Sequence, residues 1–221
     1  MKRIGYIIMV VSCCILASCR TMDTRTSLYG KMYEEKPIVM LVMPPINNTT
    51  NVEAKELFYT SISHPLIESG YYVISPHLAM DIFKSESAYD AEMFIENDIA
   101  TFGRIFGADA AVFTIIDKWE KRGVGIETQV TCIIKSTRTN DILFERTCDL
   151  YLDMGSDGNG KTSLVTLAIG AIQTALTDHI EAARKCNNYI FMDIPRGKYH
   201  PDYMKDQTTR AYPKNIRAVV R

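Results

Sequence analysis

The chain has 221 residues, 47% of them apolar, and its 25 basic side chains nearly balance 26 acidic ones for a net charge of −1. So even a balance leaves no basic stripe for nucleic acid, and the length suits one ordinary domain with a filled core.

The N-terminus has three zones. Lys2 and Arg3 supply positive charge, Ile4 to Leu16 form a nearly unbroken apolar stretch, and Leu16-Ala17-Ser18-Cys19 follows. The stretch falls short of the ~20 residues a spanning helix needs, and its flanks are those of a secretory signal rather than of an uncleaved anchor. An aliphatic residue, two small ones and a cysteine make a lipobox. The small residues let the chain enter a signal peptidase in extended form, and the cysteine thiolate takes a diacylglyceryl group through a thioether. The sequence therefore predicts a signal peptide over 1–18, cleavage between Ser18 and Cys19, and lipid on Cys19. Cleavage removes Lys2 and Arg3 and no acidic residue, leaving 23 basic against 26 acidic side chains, a net charge of −3. Arg20 follows the cysteine and no acidic run stands near it, which points to the outer membrane and a periplasm-facing domain.

Residues 19–36 are polar and lack sustained periodicity, the pattern of a lipidated flexible tether. A single α/β domain is expected over 37–207. It opens at Pro37 with Ile38 to Met43, an apolar run suited to a strand buried on both faces and ended by Pro44-Pro45. Asn51 caps a helix over roughly 52–69, with Leu57, Phe58, Ser61, Ile62, Pro65 and Leu66 on one side. Pro65 kinks or splits it, and Gly70 ends it. A short strand, Tyr71 to Ile74, precedes Ser75-Pro76, which starts another helix to about Lys84. From Ala91 a further helix carries Ala91, Ile95, Ile99, Phe102 and Phe106 on one stripe and stops at Gly107.

Ala110 to Trp119 reads as a strand, and 124–136 with 142–152 as a strand pair around Arg138-Thr139-Asn140-Asp141. Ile142, Phe144, Cys148, Leu150 and Leu152 alternate with polar residues, so one face of this region is wet. A glycine-rich loop, 155–160, leads to a long helix over roughly 162–185 whose apolar residues fit the helical template throughout. Residues 208–221 read as a disordered tail. The order implies an α/β (α+β) fold, a mixed sheet of about five strands with helices packed against it.

Several pieces together resemble a known family: Pro44-Pro45 with the loop INNTTN, Gly70-Tyr71-Tyr72, Gly107-Ala108-Asp109, the hairpin around TRTNDILFE, and IPRGKYHPDY from Ile194. The resemblance, over roughly 37–207, is to bacterial lipoproteins of the neisserial vaccine-candidate type. That family has no established function and looks related in fold to the TolB N-terminal domain and to the CsgG, LpoB and PelC lipoproteins. It implies a lipid-anchored, non-enzymatic module of the periplasmic envelope, with other envelope lipoproteins, CsgG-like ones included, or a second copy as partners. The CsgG relatives make pores with long hairpins. Here the connection Glu120 to Val124 is too short to cross a bilayer at ~9–11 residues per strand.

Two other readings remain open, a periplasmic enzyme acting on cell-wall material and a nucleotide-binding protein. Gly155 to Thr162 match the P-loop expression, with Lys161 as the phosphate lysine and Asp117 as an arguable metal partner. The strand before it alternates as a hairpin strand does, however, and the lipobox places the domain outside the cytoplasm. His64, His77, His179 and His200 stand at no metal spacing, no nucleophile elbow occurs, and no cofactor or metal is expected. Cys132, Cys148 and Cys186 fit no zinc pattern. Cys132 and Cys148 share facing parity on adjacent strands, so a disulfide there competes with small buried thiols. Tyr71, Tyr72 and Trp119 are the candidate contact surface, with core packing as the competing role.

Overall fold

The computed structural model describes residues 22–85, 91–123, 125–153 and 167–220, with the side chains of 167–178 set aside. The signal peptide, Ser18, Cys19 and the glycine-rich loop with Lys161 lie outside the described residues.

Strand β1 (Val39–Val42) is the buried strand expected after Pro37. It lies parallel between β3 (Tyr72–Val73) and β4 (Ala110–Arg122). Strands β4, β5 (Gly125–Ser136) and β6 (Ile142–Asp153) then form an antiparallel meander. Two further strands raise the sheet to seven. The two-residue β2 (Ile46–Asn47) continues beside β4 past the end of β1, too short to leave any pattern. Strand β7 (Asn215–Val220) runs parallel to β6 within the segment expected to be a disordered tail. Its Ile216, Ala218 and Val220 pack on the core, a period-two stripe that gives those residues apolar area to bury.

The expected tether also changes. Helix α1 (Arg25–Glu35) starts at Thr24, whose Oγ1 accepts from the Ser27 amide while the Ser27 hydroxyl accepts from the Thr24 amide. It buries Arg25, Tyr29, Met32 and Tyr33. That spacing is helical, but a stripe of tyrosines, a methionine and an arginine is too weakly apolar to stand out. Glu35 fastens its far end, accepting from Ser136 and Thr139 hydroxyls at 2.6 Å each and pairing with Arg138 at 3.2 Å. Burial works to raise the Glu35 carboxyl, and these partners outweigh it and hold it below its ordinary range.

Pro65 splits the next helix as expected, into α2 (Glu53–Ser61) and α3 (Ser63–Glu68), where it sits in a first turn that needs no amide from it. The N-cap of α2 is Val52 rather than the expected Asn51, whose Oδ1 nonetheless accepts from the Ala54 amide at 3.1 Å from one residue further out. Helix α4 spans Pro76–Ser85. The helix expected from Ala91 to Phe106 is broken into α5 (Glu92–Ile95) and α6 (Ala100–Phe106). Asn97 and Asp98 cause the break by bonding locally to the Met93 carbonyl and the Ala100 amide. Helix α7 (Leu167–Phe191) runs past the expected end at 185. Its last turns hold Asn187, buried and donating to Ser61 Oγ at 2.9 Å, and Ile190 and Phe191, which close the core.

Two cores result. Helices α1, α2, α3 and α7 cover one face of the sheet over Met40, Val42, Val112, Ile116, Val130 and Leu150. Helices α4 to α6 cover the other face over β1, β2 and β4, around Leu41, Met43, Ile46, Ala111 and Phe113, and reach the end of β5 at Ile133 and Lys135. Among the described residues, the rest of the outer face of β5 to β7 is uncovered.

A buried polar network ties the ends of the chain together. Arg146, fully buried on β6, pairs with Asp193 and donates to the Tyr29 hydroxyl and to the Ile190 carbonyl at 2.9 Å. Burial alone would weaken its charge, but Asp193 holds its pKa above the ordinary value. Asp193 also accepts from the Tyr212 amide at 2.6 Å. Arg25 pairs with Asp206 at 2.6 Å, and Asp206 accepts from the Arg196 amide at 2.9 Å. The segment after α7 is thereby fixed against α1. Cys132, Cys148 and Cys186 are free and buried. Across the ladder Cys132 faces Arg146 and Cys148 faces Val130, so the two thiols sit diagonally and the disulfide alternative is not realised.

Candidate functional site

The side chains named as a contact surface separate on inspection. Trp119 is buried and meets Phe58 edge-on at 5.4 Å and the His179 ring at 6.2 Å. Its orientation follows from a bulge. The register of β4 slips between Ile116 and Lys118, which moves Lys118 to the outer face and Trp119 inward. Asp117, at the slip, accepts from the Asn48 side-chain amide at 2.8 Å, so the residue offered as a metal partner instead pins the loop after β2. Tyr71 is buried too, its hydroxyl donating to the Pro195 carbonyl at 2.6 Å. Only Tyr72, at 57% exposure, faces solvent. Trp119 and Tyr71 are therefore core residues, and the proposed trio does not form one surface.

The apolar surface lies on α4 to α6. Ser75-Pro76 starts α4 with Ala79 and Phe83 inward, and Leu78 and Ile82, one turn apart on the flank, widen that stripe beyond what the sheet covers. Across from Ile82 stands Ile105 of α6, and Met93 of α5 is exposed as well. These four side chains are between 40% and 63% exposed. Between α4 and α6 runs a groove of about 220 Å³, with Phe83, Ile99 and Phe102 as floor and Ile82, Phe94, Ile105 and Phe106 as walls. Phe102 touches Phe94, Phe83 and Phe106 at centroid distances of 4.9, 5.9 and 6.3 Å. Lys135, buried on β5, donates to the Ile95 and Asn97 carbonyls at 3.0 and 2.7 Å. The Ile99 amide donates to Asn140 at 3.3 Å. The corner between α5 and α6 is thus bolted to the sheet, and the groove is preformed. Of its residues the expected stripe holds Ile99, Phe102 and Phe106; the flanking pair Leu78 and Ile82 is the signal in the sequence that more apolar surface exists than one helix face can bury.

Other concave regions are of mixed character. A hollow of about 380 Å³ between α2 and α4 sets Pro44, Tyr59, Pro76 and Met80 beside Lys55, Glu56, His77 and Lys84, and the Tyr59 hydroxyl donates to the Pro76 carbonyl at 2.7 Å. On the bare face of the sheet Lys118 and Arg122 pair with Glu127 at 2.7 and 2.6 Å, and Arg217 with Asp149 at 2.8 Å. Such exposed pairs, screened by water and salt, contribute little to stability. They satisfy one another.

The histidines are scattered. His64 lies by Glu68 on the surface, His200 Nδ1 accepts from the Asp202 amide at 3.0 Å, and His179 meets Trp119 edge-on. Among the described residues no three His, Cys, Asp or Glu side chains are grouped to hold a metal ion. Burial pushes the thiols up, Cys148 to about 12 and Cys132 and Cys186 further, away from nucleophilic use. No described helix is long and apolar enough to cross a membrane.

Comparison with known proteins gives the following matches. The model of the GNA1162-like lipoproteins matches residues 28–189. The lipoprotein NMB1124/NMB1162 of Neisseria meningitidis serogroup B is 23% identical over 168 residues, 74% of this chain and 78% of that protein. The crystal structure of lipoprotein GNA1162 from Neisseria meningitidis aligns at 19% identity and a TM-score of 0.48, over 64% of this chain and 99% of that one. The PelC dodecamer from Paraburkholderia phytofirmans aligns at 14% identity and a TM-score of 0.41, over 73% of this chain and 89% of that one.

Proposed function

Since the chain belongs to the GNA1162-like lipoprotein family, we propose that it is a lipid-anchored assembly or interaction module of the periplasmic envelope, working by protein contact rather than catalysis. Cys19, exposed by removal of residues 1–18, carries the lipid, in the outer membrane and facing the periplasm. Its partners are other envelope lipoproteins, CsgG-like ones among them. The observation that carries this reading is the preformed apolar groove of α4 to α6. Ile82 and Ile105 on its walls leave large apolar side chains in water, as do Leu78 and Met93 elsewhere on α4 and α5. Exposed apolar surface of this kind is a feature of interaction sites, and fully burying one such side chain is worth about 1.5–3 kcal/mol.

Co-purification from cross-linked membranes tests the reading. The native protein should retain a defined set of envelope proteins, and Ile82→Lys with Ile105→Lys should lose it while keeping the native melting temperature. Replacing Cys19 with alanine should release the protein from the membrane. Retention of the same proteins by the double variant would sink the groove as the docking site. Failure to retain any partner, together with impaired cell-wall turnover on deletion, would favour an enzyme.

A further inference from the structure

The segment after α7 leaves the core at Ile194 and returns to it at Ala211. Residues 196–206 make a compact loop whose neck is closed by Asp206, which accepts from the Arg196 amide and pairs with Arg25 in the first turn of α1. The loop is braced internally. Backbone amides of His200, Tyr203 and Lys205 donate to the carbonyls of Gly197, His200 and Asp202 at 2.9–3.0 Å. It is also seated on the turn before β3. The Gly197 and Tyr199 amides donate to the Ser69 and Gly70 carbonyls at 2.8 and 3.0 Å, and a Cβ on Gly70 would lie 2.4 Å from the His200 nitrogen. Loops of this closed kind are frequently functional.

Its outward side is basic and aromatic. Exposed Lys198, Lys205 and Arg210 stand against one exposed carboxylate, Asp202, with Asp23 across the Thr24–Arg210 bridge, while half-buried Arg196 turns its guanidinium to Ser69 Oγ at 3.4 Å. Lys198 lies over the Tyr203 ring at 5.2 Å and Arg210 over Tyr212 at 5.9 Å. Tyr199 is 68% exposed. Tyrosines with lysines and arginines are the residues that settle at a membrane–water interface.

Position supplies the occupant. Arg25, which grips the neck of the loop, is six residues after Cys19, so the bridging chain reaches at most about 20 Å. We infer that the loop 196–206, with Arg210 and Tyr212, docks on the anionic phospholipid headgroups of the membrane that holds the anchor, and so fixes the orientation of the domain instead of leaving it to swing. This rests on lipidation at Cys19. Residues 25–35, folded as α1, add no reach, and the anchor keeps the loop at high effective concentration over the bilayer, where each basic side chain near the surface adds attraction.

The test uses the full lipidated protein in vesicles of phosphatidylethanolamine and phosphatidylglycerol, with Tyr199→Trp as a reporter and a headgroup-labelled nitroxide lipid as quencher. Trp119 is buried and gives a constant background. Quenching should be strong in anionic vesicles, weak in phosphatidylcholine, and lost in about 0.5 M salt. Lys198→Glu with Lys205→Glu and Arg210→Glu should lower the docked-to-free ratio at least about tenfold while the protein still sediments with the vesicles. Equal quenching in neutral vesicles, indifference to charge reversal, or quenching only when a second protein is added would overturn the inference and leave the anchor standing. A protein that does not sediment at all would overturn the anchor and the docking together.

Discussion

Consider the replacement of Asp193 by alanine. Asp193 is buried and is the counter-ion of Arg146, which is itself fully buried. It also accepts from the Tyr212 amide at 2.6 Å. Removing the carboxylate strands a guanidinium whose remaining partners, the Tyr29 hydroxyl and the Ile190 and Tyr212 carbonyls, are neutral. Breaking one side of a buried pair typically costs about 3–5 kcal/mol, which at about 2–4 °C per kcal/mol for a domain of this size lowers the melting temperature by roughly 10 °C. Urea unfolding of the mature chain, followed by circular dichroism, measures it. The companion Arg146→Met should cost a similar amount, and the double variant clearly less than the sum, because neither charge is then left alone. A loss under about 1 kcal/mol for Asp193→Ala, or simple additivity, would contradict the claim that this pair fastens α1 and the chain after α7 to the sheet.

Gly70 has φ +88° and no room for a Cβ beside His200, whereas Gly107 has φ +65° and open space around it. Gly107→Ala should cost about 1 kcal/mol and Gly70→Ala clearly more in thermal melts, since only the second adds a backbone collision to the conformational term. Glu35 has a lowered pKa, so its contribution is present above the ordinary carboxylate range near about 4.3 and is lost as pH falls through its folded value. Glu35→Gln should therefore narrow the stability difference between pH 7 and pH 3. Cys132, Cys148 and Cys186 should resist a thiol reagent at pH 8 in the native protein and all react once it is unfolded, because burial keeps them protonated and out of reach.

Much of this fold is written in short-range pattern. The alternation from Phe144 to Leu152 gives β6 its inner and outer faces, although Ile142, expected inward with them, is turned outward by a bulge at Leu143; the run after Pro37 gives the buried β1, and Pro65 and Pro76 set helix limits. Where the sequence misleads, a longer-range contact decides. Helix α1 forms although its stripe is weakly apolar, because Arg25 finds Asp206 and Tyr29 finds Arg146 on segments more than a hundred residues away. Strand β7 depends on β6, and Trp119 turns inward because of a bulge that alternation alone does not reveal. The groove is legible in part, through Phe102 and Phe106. Its other wall needs α4 to be placed across from α6, which no local pattern states.

The central claim, that the α4 to α6 groove is where partners dock, is tested most directly by a photo-crosslinking amino acid placed at Ile105 in the lipidated protein in its native envelope. Discrete adducts of defined mass should form from this position and not from Gln129 on the bare polar face of the sheet. Adducts from Gln129 alone, or an equal unspecific smear from both positions, would contradict it.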